Sequence, residues 1–243
     1  MRSYKGYLIQ AFEGKYVGSI EDINFPEIAN DHVVISTEYS SLNYKDALSA
    51  SGPKYGVTRE YPFVPGIDAA GKVLESKSKK FNIGDEVIVT GYSMGMSVFG
   101  GFGEIVHVPE TWVANLPSNL TLKESMNYGT AGLTAAASVK KIIDNGIDAE
   151  KPILVSGATG GVGSVAISIL SKAGYDVHAL TGKKNEDDFL KSIGAKVIIS
   201  RDDFMNDPVR PLDKALYGGA VDTVGGDIPV SYTHLTLPTI LLV

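Results

Sequence analysis

The sequence predicts an α/β chain in two parts, a small, mostly-β region followed by a doubly wound parallel sheet. Three observations predict it. The first half is a series of short β-branched or aromatic runs, each bounded by Gly, Pro, Asn or Asp. From Lys151 the rhythm becomes strand, helix, strand, helix, strand, which implies parallel strands with helical crossovers. Between the first of those strands and its helix lies a glycine-rich turn, Gly157–Gly163.

The expected strands of the first part are Tyr7–Ala11, His32–Tyr39, Gly71–Leu74, Glu86–Thr90 and Gly103–Val108, enough to close a barrel or sandwich. The character changes between about residues 120 and 130, where alanine-rich helical patterning covers Leu122–Met126 and then Gly129–Asn145. The second part follows as strand Ile153–Ser156, helix Val162–Ala173, strand Val177–Leu180, helix Asp187–Ile193, strand Val197–Ile199 and strand Ala220–Thr223. The domains read as residues 1–125, 126–227 and a tail, 228–243.

Composition narrows the function. The 243 residues carry a formal net charge of −6, the wrong sign for a phosphate-backbone partner, so no nucleic acid is expected. No apolar run is long enough to span a bilayer and no signal-like segment opens the chain, so no membrane partner and a cytoplasmic location are expected. There is no cysteine, and His32, His107, His178 and His234 have no ligand spacing, so no metal is expected. Any redox chemistry would then come from an organic cofactor.

The glycine turn names that cofactor's class. Ala158, Gly160 and Gly163 take the three positions of the dinucleotide fingerprint. Gly160 lets a pyrophosphate approach the backbone, Gly163 lets helix and strand pack closely, and the helix N-terminus at Thr159, Gly160, Gly161 and Val162 offers N–H groups and partial positive charge to phosphate. At the end of the second strand, where an acidic residue would select NAD, the sequence has Thr181-Gly182-Lys183-Lys184. A hydroxyl and ammonium groups accommodate a 2′-phosphate that a carboxylate would repel, so NADP(H) is expected. Arg201, just after the third strand, is a candidate second contact. A solvated loop at Lys183–Lys184 is the plain alternative.

With those residues in view, the chain resembles the zinc-free medium-chain dehydrogenase/reductases, in the quinone oxidoreductase branch that includes NADPH-dependent acryloyl-CoA reductases. The resemblance is carried by Ser41–Leu48, Pro62–Gly71, Gly129–Ala135, the Ala158–Gly163 turn and Gly219–Gly226. It implies a GroES-like catalytic domain and a Rossmann domain, here incomplete, with the active site between them. It also implies hydride transfer to an activated alkene of an enoyl-CoA, or reduction of a quinone, and a homodimer for the full-length parent. Asn43 and Tyr44 are the implied donors to a substrate carbonyl or the nicotinamide ribose, with Asp46 and Asp68 orienting them. The plain alternatives are a turn cap for Asn43, a core position for Tyr44 and a helix N-cap for Asp46. The stretch Gly91–Gly101 is expected to be a mobile pocket wall, with Met96 and Val98 more apolar than relatives imply.

The tail, Ile228–Val243, lacks a helix signal where a crossover is due. It is expected to be non-native and to leave the sheet with a bare edge, and so to make this chain unstable or poorly active.

Overall fold

The computed structural model describes residues 2–206, 216–229 and 240–242. Its contacts divide the chain into two compact units, Met1–Thr130 and Ala131–Val243.

The first unit holds the strands β1 (Ser3–Phe12), β2 (Lys15–Asn24) and β3 (His32–Tyr39), then a short helix α1 (Tyr44–Ala50), then β4 (Asp68–Ser76), β5 (Glu86–Thr90), β6 (Ile105–Pro109) and β7 (Val113–Asn115). β1 and β2 make a hairpin, and the other five form an antiparallel sheet in the order β6-β3-β4-β5-β7. The core follows from period-two alternation. Val33, Ile35, Val73, Val87, Val89, Val106 and Val108 bury one face with Met94 and Phe81. Val34 and Ile105 turn to the other, beneath Tyr4, Ile23 and Phe25.

Two strands escaped the sequence reading. β2 pairs with β1 residue for residue, Phe12 opposite Lys15, across the two-residue turn Glu13-Gly14. Both turn residues have positive φ, 48° and 77°, which is the primed geometry a two-residue hairpin needs. That geometry is usually announced by Asn or Asp, and Glu13 conceals it. β7 is only three residues long, below the reach of a periodicity argument.

Helix α2 (Leu122–Asp144) crosses from the first unit to the second. It is interrupted at Gly129, whose φ of 49° and ψ of −149° no residue with a Cβ adopts comfortably. The two expected helices, broken near Gly129, correspond to its two halves.

The second unit continues with β8 (Ile153–Ser156), α3 (Gly161–Lys172), β9 (Val177–Thr181), α4 (Asp187–Ser192), β10 (Val197–Ser200), α5 (Arg201–Asn206), β11 (Gly219–Asp222) and β12 (Ile240–Leu242). All five strands are parallel, in the order β10-β9-β8-β11-β12. Both faces are covered, which is why β8 is apolar at every position but its last. Ile153, Val155, Val177 and Val221 pack against Ala135, Val139 and Ile142 of α2 and Ala166, Ile167 and Leu170 of α3. Leu154, Leu180 and Ala220 face the other way, against Tyr217 and Ile228.

Two features bear on the tail. Ile228 is part of the core, and the outer side of β11 is not bare, because Ile240–Leu242 pairs with Ala220–Asp222. The rest of the tail lies outside the described residues. Among the described residues no helix is long and apolar enough to cross a membrane, and no group of acidic or histidine side chains is placed to hold a metal.

Candidate functional site

In the first unit the candidates sit on the segment that leaves β3 and enters α1. Asn43 is the N-cap, in extended conformation (φ −123°, ψ 154°). Its backbone N–H donates to Oδ2 of Asp46 at 2.8 Å, the acidic half of a capping box. Asp46 is therefore the third helical residue and not the N-cap. Its other oxygen, Oδ1, accepts the backbone N–H groups of Gly66 (3.1 Å) and Ile67 (3.0 Å), and the residue is 3% exposed. Burial pushes the Asp46 carboxyl above its usual range, the three backbone donors oppose that, and the charge of Asp68 adds to it.

Asp68, the first residue of β4, is fully buried and holds four hydrogen bonds. Oδ2 accepts from Ser41 Oγ (2.5 Å), Asn43 Nδ2 (2.9 Å) and the Thr130 backbone N–H (2.9 Å), and Oδ1 accepts from Thr130 Oγ1 (2.6 Å). The carboxylate packs so tightly on the α2 kink that a Cβ at Gly129 would stand 2.4 Å from Oδ2. Both acids are thus enclosed by the backbone they organise, and neither faces solvent.

Tyr44 lies at the other extreme. As the first residue of α1 it is 82% exposed, so the core reading of Tyr44 is excluded, and Leu42 beside it is 88% exposed. The Asn43 amide is turned inward to Ser41 Oγ and Asp68.

The stretch Gly91–Gly101, expected to be a mobile wall, is fastened at many points. Gly91 and Gly101 donate to the carbonyls of Ile67 and Gly66, and Gly100 to that of Val64. Thr58 Oγ1 donates to the Met96 carbonyl and Ser49 Oγ to that of Gly95. Met94 is fully buried, and Met96 and Val98 are partly so. Val98 packs against the core cluster that holds Met94, which gives its apolar character a packing reason.

In the second unit the sequence candidates gather around one cleft of about 280 Å³, lined by Thr159, Thr181, Gly182, Lys183 and Arg201 together with Gly157, Leu180, Val224 and Ile228. The turn that supplies Thr159 is built as the glycine spacing requires. A Cβ at Gly163 would lie 2.3 Å from the Gly157 carbonyl oxygen, so α3 approaches β8 more closely than any side chain permits. Gly160, the N-cap of α3, has open space instead, with only that same oxygen at 3.2 Å. Gly160, Gly161 and Val162 form the start of α3, whose first N–H groups have no intrahelical acceptor. Across the cleft the Lys183 N–H donates to Thr181 Oγ1 (3.1 Å), fixing the turn after β9. Arg201 lies over Gly182, whose missing Cβ would be 2.8 Å from the guanidinium carbon. Two cations and a helix N-terminus around an open groove suit a polyanionic, elongated ligand, and the free space at Gly160 fits a phosphate drawn close to the backbone. The residues present therefore fit a dinucleotide bearing an extra phosphate.

Sequence reasoning missed the residues that hold the cleft's walls. Ser156 and Asp222 end the adjacent strands β8 and β11 and are 1% and 2% exposed. Ser156 Oγ donates to Asp222 Oδ1, and Asp222 accepts the backbone N–H groups of Val224 and Gly225. The available signal was an acid closing an otherwise apolar strand.

Known proteins resemble both units. The model for the alcohol dehydrogenase GroES-like domain matches residues 29–118. The chain is 48% identical over 208 residues to the putative quinone oxidoreductase YhfP of Bacillus subtilis, covering 85% of this chain and 63% of that protein. A crystal structure of yhfP with NAD bound superposes with a TM-score of 0.90 at 41% identity, covering 97% of this chain and 72% of that one. The acrylyl-CoA reductase AcuI of Ruegeria pomeroyi is 40% identical over 214 residues, covering 88% of this chain and 64% of the relative. The yhdH oxidoreductase of Salmonella enterica, solved in complex with NADP, superposes with a TM-score of 0.89 at 37% identity, covering 96% of this chain and 71% of that one. The chain thus spans a little under two thirds of the length of the first two curated relatives.

Proposed function

Because the chain belongs to the zinc-free quinone oxidoreductase branch of the medium-chain dehydrogenase/reductase family, we propose that it is an NADPH-dependent reductase of an activated carbon–carbon double bond, with acryloyl-CoA, reduced to propanoyl-CoA, as the substrate. The observation that carries the nucleotide half is the cleft that brings Thr159, Thr181, Lys183 and Arg201 around one groove beside the open N-terminus of α3. The substrate half is supported by the likeness to AcuI.

In this reading Thr159, Gly160, Gly161 and Val162 hold the pyrophosphate, and Thr181, Gly182, Lys183 and Arg201 hold the 2′-phosphate and its ribose. NADPH, when bound, would supply a hydride for the β-carbon of the enoyl thioester, and a proton taken up at the α-carbon would complete the reduction. What the chain supplies is alignment, charge stabilisation and exclusion of competing reactions. Tyr44, exposed at the start of α1, is the donor assigned to the substrate carbonyl or nicotinamide ribose. Asn43 belongs to the same segment, and its amide is held by Asp68. Asp46 and Asp68 act through that segment as positioning residues, their oxygens being taken up by the backbone and by neighbouring side chains.

A second reading, reduction of a quinone, is favoured by the likeness to YhfP, and the NAD in the yhfP structure makes nucleotide preference part of the same test. The experiment follows NADPH and NADH absorbance with acryloyl-CoA and a benzoquinone in parallel. Faster oxidation of NADPH by the thioester supports the proposal, and faster oxidation by the quinone moves the assignment to the second reading. Nucleotide binding with no turnover of either acceptor overturns both and leaves a non-catalytic NADP-binding chain.

A further inference from the structure

We propose that Ser156 and Asp222 are positioning residues that clamp the two walls of the nucleotide cleft together, so that dinucleotide affinity depends on two side chains that lie behind the cleft's lining. The inference rests on the nucleotide-binding reading above and extends it to residues outside the fingerprint.

β8 and β11 are neighbours in the parallel sheet, and each runs directly into one wall of the cleft. β8 leads into Gly157 and Thr159, and β11 into Val224 and Ile228. Sheet hydrogen bonds hold the strands but not the loops beyond them, and the last paired residues are Val155 and Val221. Immediately past that point a side-chain lattice takes over. Ser156 Oγ donates to Asp222 Oδ1 while accepting the Thr223 N–H at 3.0 Å. Thr223 Oγ1 returns a bond to the Ser156 carbonyl at 3.0 Å. The same carboxylate receives the Val224 N–H on Oδ1 (3.2 Å) and the Gly225 N–H on Oδ2 (3.1 Å), which folds the loop after β11 back on itself. Gly157 completes the joint: a Cβ there would be 2.2 Å from Thr223 Oγ1, so the first cleft residue of one wall packs on the first loop residue of the other.

The consequence is specific. Ser156 and Asp222 line none of the cleft, yet the Val224 N–H bonds to Asp222, whose carboxylate Ser156 holds in turn. Loss of the clamp frees one wall of the groove, and ligand binding must then supply the ordering. Because the clamp does not address the extra phosphate, its loss weakens NADPH and NADH alike.

The test measures the dissociation constants of NADP⁺ and NAD⁺ by calorimetry on the intact chain, its S156A and D222N variants, and K183A as a contrast, well below each variant's melting point. The expected result is a loss on the order of tenfold for both nucleotides in S156A and D222N, the value of about one well-made hydrogen bond or somewhat more. K183A should instead lose affinity for NADP⁺ only. Serine returned as threonine, S156T, should recover binding because the hydroxyl is kept. A purely structural role predicts lower melting temperatures with unchanged dissociation constants, and that result overturns the clamp. Should the unaltered chain bind neither nucleotide, the nucleotide-binding reading fails and the clamp proposal falls with it.

Discussion

Asp68 offers the sharpest check on the first unit, because its four bonds are distributed unequally over its two oxygens. Oδ2 faces three donors, two of them amide N–H groups that have nothing else to offer. Oδ1 faces only the Thr130 hydroxyl, which turns to accept as readily as it donates. In Asp68→Asn the amide nitrogen would take the Oδ1 side, keep all four contacts and lose only their charge assistance. With charged bonds worth about 1.5–3 kcal/mol and neutral ones about 0.5–1.5, and with the cost of burying a charge removed, the net loss is about 1–2 kcal/mol. Asp68→Ala instead strands the Thr130 N–H, at about 1–3 kcal/mol, leaves the Asn43 amide with Ser41 Oγ alone, and opens a cavity, for about 3–5 kcal/mol in all. At roughly 2–4 °C per kcal/mol for a chain of this size, the two variants should melt well apart, the alanine lower by about 5–10 °C. Thr130→Val supplies the internal control. It should cost more in the D68N background than alone, since the new amide loses its acceptor, and the coupling should exceed about 0.5 kcal/mol. Thermal and urea melts of the four variants and the unaltered chain measure this. Equal melting points for D68N and D68A, or strict additivity with T130V, would refute the hydrogen-bond assignment.

Other expectations concern the second unit and pH. Lys183→Ala and Arg201→Ala should each weaken NADPH binding roughly tenfold at low salt while leaving NADH within about twofold, and the difference should shrink as salt is raised. Fluorescence titration of both nucleotides checks it. Gly163→Ala brings a methyl to 2.3 Å from the Gly157 oxygen and must push α3 off β8. A stability loss of about 1–3 kcal/mol in urea and a larger loss in nucleotide affinity are expected. Burial, with His32 nearby, pulls His107 below its ordinary range, and burial pulls His178 below it, with Lys196 adding and Asp176 opposing. A depressed histidine binds its proton more readily once unfolded, so its stabilising contribution is intact above about pH 6.5 and is lost as pH falls from there towards the folded-state value. Urea midpoints should therefore drop between about pH 7 and 5, and His107→Leu should flatten that slope.

The sequence was most legible where local chemistry and tertiary structure agree. The apolar β8, the spacing of Ala158, Gly160 and Gly163, and the small-residue face of α3 all specify the same close-packed strand-turn-helix, and the structure has it. Lys183 and Arg201 were findable for a related reason: each follows a strand end, and parallel strands bring their ends to one edge. β2 was hidden because Glu13 stands where a hairpin turn usually shows Asn or Asp, and because its exposed Val17 and Ile20 present no clean buried face. The fastening of Gly91–Gly101 was hidden because it runs through backbone groups of residues such as Gly66 and Ile67, which periodicity does not weigh.

The buried acids show how far a reading of residue types can go astray. Asp46, Asp68 and Asp222 each lie at an element end, each is at most 3% exposed, and each spends its oxygens on backbone N–H groups and neighbouring polar side chains from distant parts of the chain, as far as 66 residues away. A carboxylate in a strand-to-helix motif reads as an acid or base candidate, and nothing local separates that role from a clamp, because the partners are specified only by the fold. The distinction has chemical weight. Each of the three carboxylates is buried and already hydrogen-bonded within the fold, so none presents an oxygen to solvent. In the proposed reading, proton handling is assigned to groups that reach solvent, Tyr44 and Lys45 being the exposed polar side chains at the start of α1. In the proposed reading the acids hold the Asn43–Tyr44 segment and the cleft walls still, the rigidity that a hydride transfer governed by alignment requires of its protein.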